Sequence, residues 1–450
     1  MTTNGHLLTR GAIFPTLVRF ALPYLGATFL QALYGIVDTL IVSFYGTPAD
    51  LSAVSTGAQT LYAVMCLIAG LTVGGTIVIG QFYGARQFQK TQETIATLFS
   101  FFGTACVFLS AISMVFSSHL VDWLQTPKEA IIPTWQYIFL GSAGLIFTFG
   151  YNAICAVLRG MGDALNPLKF IAIASLINVI LDFIFIAGFH WGAGGAALAT
   201  TLAQTFSVLL AVRFLKKNHF MFSFDIKAFK ISTDKLKLLL KIGIPVALQD
   251  FLIMLSFLII LAVVNKMGVI PSAAAGITEK IDGFTILPAL ALSAAIAAMT
   301  AQNIGARKLV RAKKTFYVGL FTILIFSIPA FILMFIAPAW VMSLTSNHPD
   351  IIRLGADYLL AYSPDCLILG VLFAINGFLN GCGHTTFTML GNLLTILILR
   401  LPLVFQADDL FEIGLTLPAS AGITVILSLI YFYGGFWKKR PINITSSPKD

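Results

Sequence analysis

The chain has 450 residues; 58% are apolar, only 10% are charged, and 28 basic against 19 acidic side chains leave a net charge of +9. With a mean hydropathy of +0.91, this composition excludes a soluble globular enzyme, in which about a quarter of residues are charged, and a disordered chain, which has few apolar residues. The charge therefore reads as the Lys and Arg of cytoplasmic loops in a polytopic membrane protein, and not as a nucleic-acid surface.

A bilayer span takes about 20 mostly apolar residues, and twelve such stretches follow one another. The first, near 15–45, carries Pro23 and a stripe of Thr28, Gln31, Tyr34, Gly35 and Asp38. That three- and four-residue spacing turns one polar face towards a bundle interior. The next three lie near 51–82, 92–118 and 130–158, the last with Tyr137. The fifth, near 166–189, places Ser175, Asn178 and Asp182 on successive turns, and the sixth, near 194–215, holds Thr200 and Thr201. A basic linker over 217–235 separates these from stretches near 236–267, 272–302, 315–342, 351–380, 386–406 and 414–437. The seventh contains Pro245, Gln249 and Asp250; the eighth Glu279, Lys280 and Asp282. The tenth contains Pro364 and Asp365, the eleventh Arg400 and Pro402. This divides the chain into 1–216, the linker 217–235, and 236–450.

Of the 28 basic residues, 23 fall in alternate connections, among them Arg86, Lys90, the eight between 213 and 241, and Arg307, Lys308, Arg311, Lys313 and Lys314. By the positive-inside rule both termini are cytoplasmic, which an even number of helices requires. The five cysteines sit inside apolar stretches without a CxxC pair and read as small core residues. Asn443-Ile444-Thr445 matches a glycosylation acceptor, but it follows a basic run assigned to the cytoplasm and is discounted.

The two halves repeat each other. Gln81-Phe82-Tyr83-Gly84-Ala85-Arg86 returns 221 residues later as Gln302-Asn303-Ile304-Gly305-Ala306-Arg307. Ala153-Ile154 with Gly160 and Gly162 returns at the same offset as Ala374-Ile375 with Gly381 and Gly383, and Pro23 and Gly46 return at 222 as Pro245 and Gly268. A repeat of six helices keeps its orientation, so the expected fold is an all-α integral membrane protein. It has twelve transmembrane helices in two six-helix lobes, related by a parallel pseudo-two-fold repeat.

A charge in hydrocarbon costs about 2.5–3.5 kcal/mol on insertion scales and usually marks an ion or substrate path. Asp38, Asn178, Asp182 and Thr200 therefore form a candidate cation- or proton-coupling site. Neighbouring carboxylates in low dielectric favour taking up a proton or sharing a sodium ion. Tyr34, Tyr137, Gln31, Glu279, Asp282 and Asp365 are candidates for contact with a substrate. The second-half charges, Lys280 and Arg400 included, read equally as an internal ion-pair network. His384 reads as an incidental loop residue. No phosphate-loop motif, zinc-protease motif or large soluble segment is present, which argues against an ATP-driven pump or a membrane enzyme.

Taken in order, Phe20-Ala21-Leu22-Pro23 with Val37-Asp38-Thr39, Leu158-Arg159-Gly160-Met161-Gly162-Asp163 with Asn166-Pro167, Asn178-Val179-Ile180-Leu181-Asp182, and Gly194-Gly195-Ala196-Ala197-Leu198-Ala199-Thr200 resemble the multidrug and toxic compound extrusion (MATE) family. Thr278-Glu279-Lys280-Ile281-Asp282-Gly283-Phe284 and Ala301-Gln302-Asn303-Ile304-Gly305-Ala306 look most like its DinF-like branch. The resemblance implies an inner (plasma) membrane antiporter that exports small organic compounds in exchange for protons or sodium ions. It implies two lobes around a central cleft, a first-lobe cation site at Asp38, Asn178, Asp182 and Thr200, and a bend at Pro23. No other cofactor is expected, membrane lipid is the surrounding partner, and the protein is expected to be a monomer. Sodium-coupled relatives carry acids in the seventh and tenth helices. Asp365 fits the second of these and Gln249-Asp250 fits the first poorly, which tilts the expectation to protons. A flippase for a lipid-linked precursor is the alternative within the wider superfamily, and the mainly acidic intramembrane residues weigh against it.

Overall fold

The computed structural model describes residues 8–124, 126–218 and 220–439, the side chains of Leu67 and Ile226 apart. Asn443 lies outside them. Among the described residues the regular structure is helical throughout. Twelve of the helices are long and apolar enough to cross a bilayer.

The first half runs through α1 (Ile13–Tyr45), α2 (Pro48–Gly84), α3 (Phe88–Val115), the short α4 (Ser117–Trp123), α5 (Ile131–Gly160), α6 (Leu165–Asp182) and α7 (Gly192–Lys217). The second half runs through α8 (Thr233–Lys266), α9 (Val269–Thr285), α10 (Leu287–Gly305), α11 (Leu309–Ile336), the short α12 (Pro338–Ser343), α13 (Pro349–Cys382), α14 (Thr385–Thr395), α15 (Leu401–Gln406) and α16 (Leu410–Tyr433). Two π-helical turns, Phe183–Gly188 and Ile396–Arg400, follow α6 and α14.

The eighth apolar stretch departs from its expected single helix. It is interrupted at Ile286, between α9 and α10. Pro288 occupies the first turn of α10, where its missing N–H is tolerated and its ring opposes continuation from the preceding turn.

The chain forms two compact units. One comprises residues 26–243, the other residues 8–25 with 244–439. The passage from one to the other falls inside α1, between Leu25 and Gly26, and inside α8, between Gly243 and Ile244. Both points lie within two or three residues of an intrahelical proline, Pro23 and Pro245. A proline inside a helix removes one backbone hydrogen bond and loosens the turn before it.

In the first unit Ile41, Val42, Ala53, Val54, Tyr137, Ile186 and Ala196 build one apolar core from α1, α2, α5, α7 and the π-helical turn after α6. Small residues let helices approach closely, as is usual where lipid supplies no hydrophobic drive to pack. A Cβ on Gly74 would lie 2.8 Å from the Gly243 backbone, so α2 and α8 touch main chain to main chain there. The 217–235 segment packs on this unit. Phe222 and Phe224 meet Phe99 of α3, and Phe222 meets Phe229, with ring centroids 5.3–5.8 Å apart. Ser232 donates its backbone N–H to Thr97 Oγ1 at 3.0 Å, and Lys235 pairs with Glu93 at 3.9 Å.

In the second unit one core joins Ile260, Val264, Tyr358, Tyr362, Val404, Ile413 and Leu417. At its other end Phe316, Phe378, Phe432 and Trp437 form an aromatic cluster with centroids 4.7–6.1 Å apart. The repeat is visible in the backbone itself. Arg86 and Arg307, 221 residues apart, both adopt left-handed φ values of 58° and 59° where α2 and α10 end.

Candidate functional site

Asp38 on α1, Tyr137 on α5, and Asn178 and Asp182 on α6 are all buried inside the first unit. Thr200 on α7 is half-buried and accepts a hydrogen bond from Asn178 Nδ2 at 3.3 Å. Asp38, Tyr34, Tyr137 and Asp182 lie close enough to sense one another's charge. The first-half coupling residues thus converge, together with Tyr34 and Tyr137. Gln31 stands two turns before Asp38 on α1 and is half-buried.

The oxygens define the chemistry of this cluster. Asp38 Oδ1, Asn178 Oδ1 and both carboxylate oxygens of Asp182 are buried without a protein hydrogen-bond partner. Buried polar atoms are normally paired, so this set has spare acceptor capacity of the kind a proton or a hard cation uses. Asp182 also ends α6 directly before the π-helical turn Phe183–Gly188. Such turns interrupt the helical ladder and are frequent at functional sites. Gly57 of α2 lets the Tyr137 ring approach, because a Cβ there would sit 2.4 Å from Tyr137 Cδ1. Thr201 has a structural role: its hydroxyl donates to Leu140 O at 3.2 Å, opposite Gly144.

Asp50 is a positioning residue that sequence reading passed over. Its Oδ2 accepts from the Thr47 backbone N–H and hydroxyl at 2.9 and 2.7 Å, and its Oδ1 accepts from the Ala193 N–H at 2.9 Å. One carboxylate therefore caps α2 and holds the start of α7, the helix that bears Thr200. Gly192 is required beside it, since a Cβ would lie 2.1 Å from Asp50 Oδ1 and φ there is +51°. The Thr47-Pro48-Ala49-Asp50 pattern is a capping box, and that was its sequence signal. Asp50→Ala is expected to cost about 2 kcal/mol of stability, as charge-assisted bonds are lost. A thermal scan of purified protein in detergent would measure this, with Asp50→Asn expected to fall between.

The second unit gathers a different group. Glu279 and Asp282 of α9 line a narrow pocket with Phe257, Val264, Tyr358 and Tyr362. Tyr362 stands between Asp282 and Asp365. Asp365 on α13 is buried and its Oδ1 has no partner. Arg400 is buried on the π-helical turn, donates from Nε to Ser420 Oγ at 2.9 Å, and lies 5.8 Å from the Phe257 ring centre. The ion-pair network considered for Glu279, Lys280, Asp282 and Arg400 is not formed. Lys280 is exposed, and among the described residues no salt bridge joins it or Arg400 to Glu279 or Asp282. Tyr358 and Tyr362 were not singled out from sequence, although their four-residue spacing before Asp365 sets all three on one helix face.

His384 is also held more firmly than a lone loop histidine suggests. Tyr431 Oη lies 2.9 Å from its Nδ1 and Lys439 O lies 2.8 Å from its Nε2. Burial lowers its pKa below the ordinary histidine value.

A MatE family model matches residues 23–184 and again residues 245–405, one match in each half of the repeat. The chain is 28% identical over 445 residues to "Probable multidrug resistance protein YpnP" of Bacillus subtilis (strain 168), covering 97% of this chain and 98% of that protein. It is 25% identical over 456 residues to "Probable multidrug resistance protein YoeA" of the same organism, with 98% of each covered. It shares its fold with a crystal structure of a MATE protein in the bent conformation, at a TM-score of 0.90 and 21% identity over 98% of this chain and 99% of that one. With both halves of its repeat matched and more than half of its length covered, the chain belongs to the MatE family of multi-pass membrane transporters and is not an enzyme.

Proposed function

We propose that this protein is a plasma-membrane antiporter that exports cationic or amphipathic drug-like compounds in exchange for protons, with both termini in the cytoplasm. The observation that carries the reading is the buried meeting of Asp38 and Asp182 with unpartnered carboxylate oxygens. The names of the relatives support the cargo class. In the outward-open state both carboxylates are largely ionised and cargo is bound. Protonation of the carboxylates from outside neutralises the pair, loosens the Asn178–Thr200 contact and shifts α1, and cargo leaves. The neutral site crosses to inward-open, is deprotonated there, and accepts new cargo. Glu279 and Asp282, flanked by Tyr358 and Tyr362, offer an organic cation both negative charge and aromatic faces. One charge moving through 100 mV supplies about 2.3 kcal/mol, enough for a cargo gradient of roughly 50-fold.

Purified protein in liposomes with an imposed pH gradient and no sodium is expected to accumulate a fluorescent organic cation, and a proton ionophore is expected to abolish the uptake. A second reading, sodium coupling, is favoured by the same four oxygens, which suit a hard cation. Uptake driven by a sodium gradient and indifferent to the pH gradient would replace protons with sodium as the coupling ion.

A further inference from the structure

The second unit carries a group of cations for which coupling has no use. The turn after α10 and the first turns of α11 place Arg307, Lys308, Arg311 and Lys314 around a shallow, open cleft of about 530 Å³. Ile13, at the start of α1, and Val310 supply its apolar side. No Asp or Glu occurs anywhere between Gly283 and Pro349, or before Asp38.

The cations are fixed without being neutralised. Arg311 donates from Nη1 to Gly11 O at 2.7 Å and from Nη2 to Arg10 O at 2.9 Å and Leu8 O at 3.4 Å. Lys308 Nζ donates to Thr9 O at 3.0 Å. These acceptors are neutral carbonyls, so they hold the side chains while leaving the positive charges in place. Leu8 and Thr9 are buried in this arrangement, and the Leu8 N–H donates to Gln302 Oε1 at 2.9 Å. The side chains of Arg307 and Lys314 make no hydrogen bond or ion pair with described residues and are left to face the cleft. Lys313 turns elsewhere, over the Tyr317 and Phe432 rings.

We propose that this cleft binds the phosphate headgroup of an anionic phospholipid, with Arg307 and Lys314 as its principal contacts and Lys308 and Arg311 as its pinned floor. Position decides between a lipid and a free phosphate. The cleft opens where α11 enters its apolar span, and Val310, 72% exposed, projects from the same turn. A phosphate seated there has apolar surface directly beside it on which acyl chains can lie. Basic pockets beside transmembrane helices recognise anionic headgroups by this combination.

The test uses purified full-length protein in mild detergent and fluorescent phosphatidylglycerol, with fluorescent phosphatidylcholine as the neutral reference. Wild type is expected to retain the anionic lipid preferentially. The double variant Arg307→Gln/Lys314→Gln is expected to lose that retention about 30-fold, roughly fivefold per charge, with phosphatidylcholine unaffected. The charge-conserving pair Arg307→Lys/Lys314→Arg should stay within about twofold of wild type, because the headgroup is recognised mainly by charge. Equal retention by wild type and the glutamine variant would overturn the proposal, as would equal loss by both variants. Displacement of the lipid by millimolar glycerol phosphate would assign the cleft to a free phosphate instead.

Discussion

Asp38→Asn is expected to leave the protein folded and inserted while reducing gradient-driven cargo accumulation from roughly 50-fold to a ratio near one. The amide keeps the size of the carboxyl and cannot exchange a proton. Asp182→Asn should do the same, because the two carboxylates act on one site, whereas Asn178→Ala should weaken export without ending it. The stability readout separates coupling from architecture. A buried carboxylate without a partner is costly, so neither asparagine variant should lower the thermal midpoint in detergent. Proteoliposome uptake and a thermal scan on the same preparations check both halves of the expectation. Normal export by Asp38→Asn would remove this cluster from the coupling mechanism.

The second large effect concerns packing. Gly160 and Gly381 hold equivalent places in the repeat, at the ends of α5 and α13. A Cβ on Gly381 would lie 2.6 Å from Ala297 O and 2.7 Å from Thr300 Cβ; on Gly160 it would lie 2.8 Å from Thr76 O. In both cases the obstacle includes backbone of a neighbouring helix, which has no rotamer to change. Overpacking costs about 1–3 kcal/mol even where side chains can yield. Gly381→Val and Gly160→Val are therefore expected to cut the yield of monodisperse protein several-fold, read by gel filtration of a fluorescent fusion. Gly276→Ala is the contrasting case. It lies inside α9 with nothing within 4 Å of the added methyl. It is expected to raise stability by about 0.5–1 kcal/mol, the helix-propensity difference.

The fold was legible because hydrocarbon admits few solutions: long apolar runs become helices, and charge bias along the connections orders them. The interruption at Ile286 was not anticipated, although Pro288 signalled it. The π-helical turns after Asp182 and before Leu401 leave no mark in hydropathy. For the site, Asp38, Asn178 and Asp182 stood out because polar residues inside apolar stretches are rare. Asp50 did not, because an acid near a helix start looks solvated until its bond to Ala193 is seen. The group around Glu279 and Asp282 misled in another way. Opposite charges close in sequence suggested pairing, while the helix turns Lys280 outward and leaves Arg400 to Ser420. The segment before α1 has no pattern at all, because it is held through its own backbone carbonyls and amide, which any residue supplies.

That segment sets a timetable for synthesis. Leu8 bonds to Gln302, and Arg311 to the carbonyls of Leu8, Arg10 and Gly11, across separations of 294 to 303 residues. At about 5–20 residues per second, the ribosome needs roughly 15–60 s to deliver those partners after the N-terminus has emerged. During that interval the first turns of α1 are in the membrane without the unit they finally join. The first unit, residues 26–243, can therefore close as it is translated, whereas the second cannot close from its own half alone. The second unit closes only when a stretch from the very beginning of the chain, held waiting throughout, is captured by the end of α10 and the start of α11.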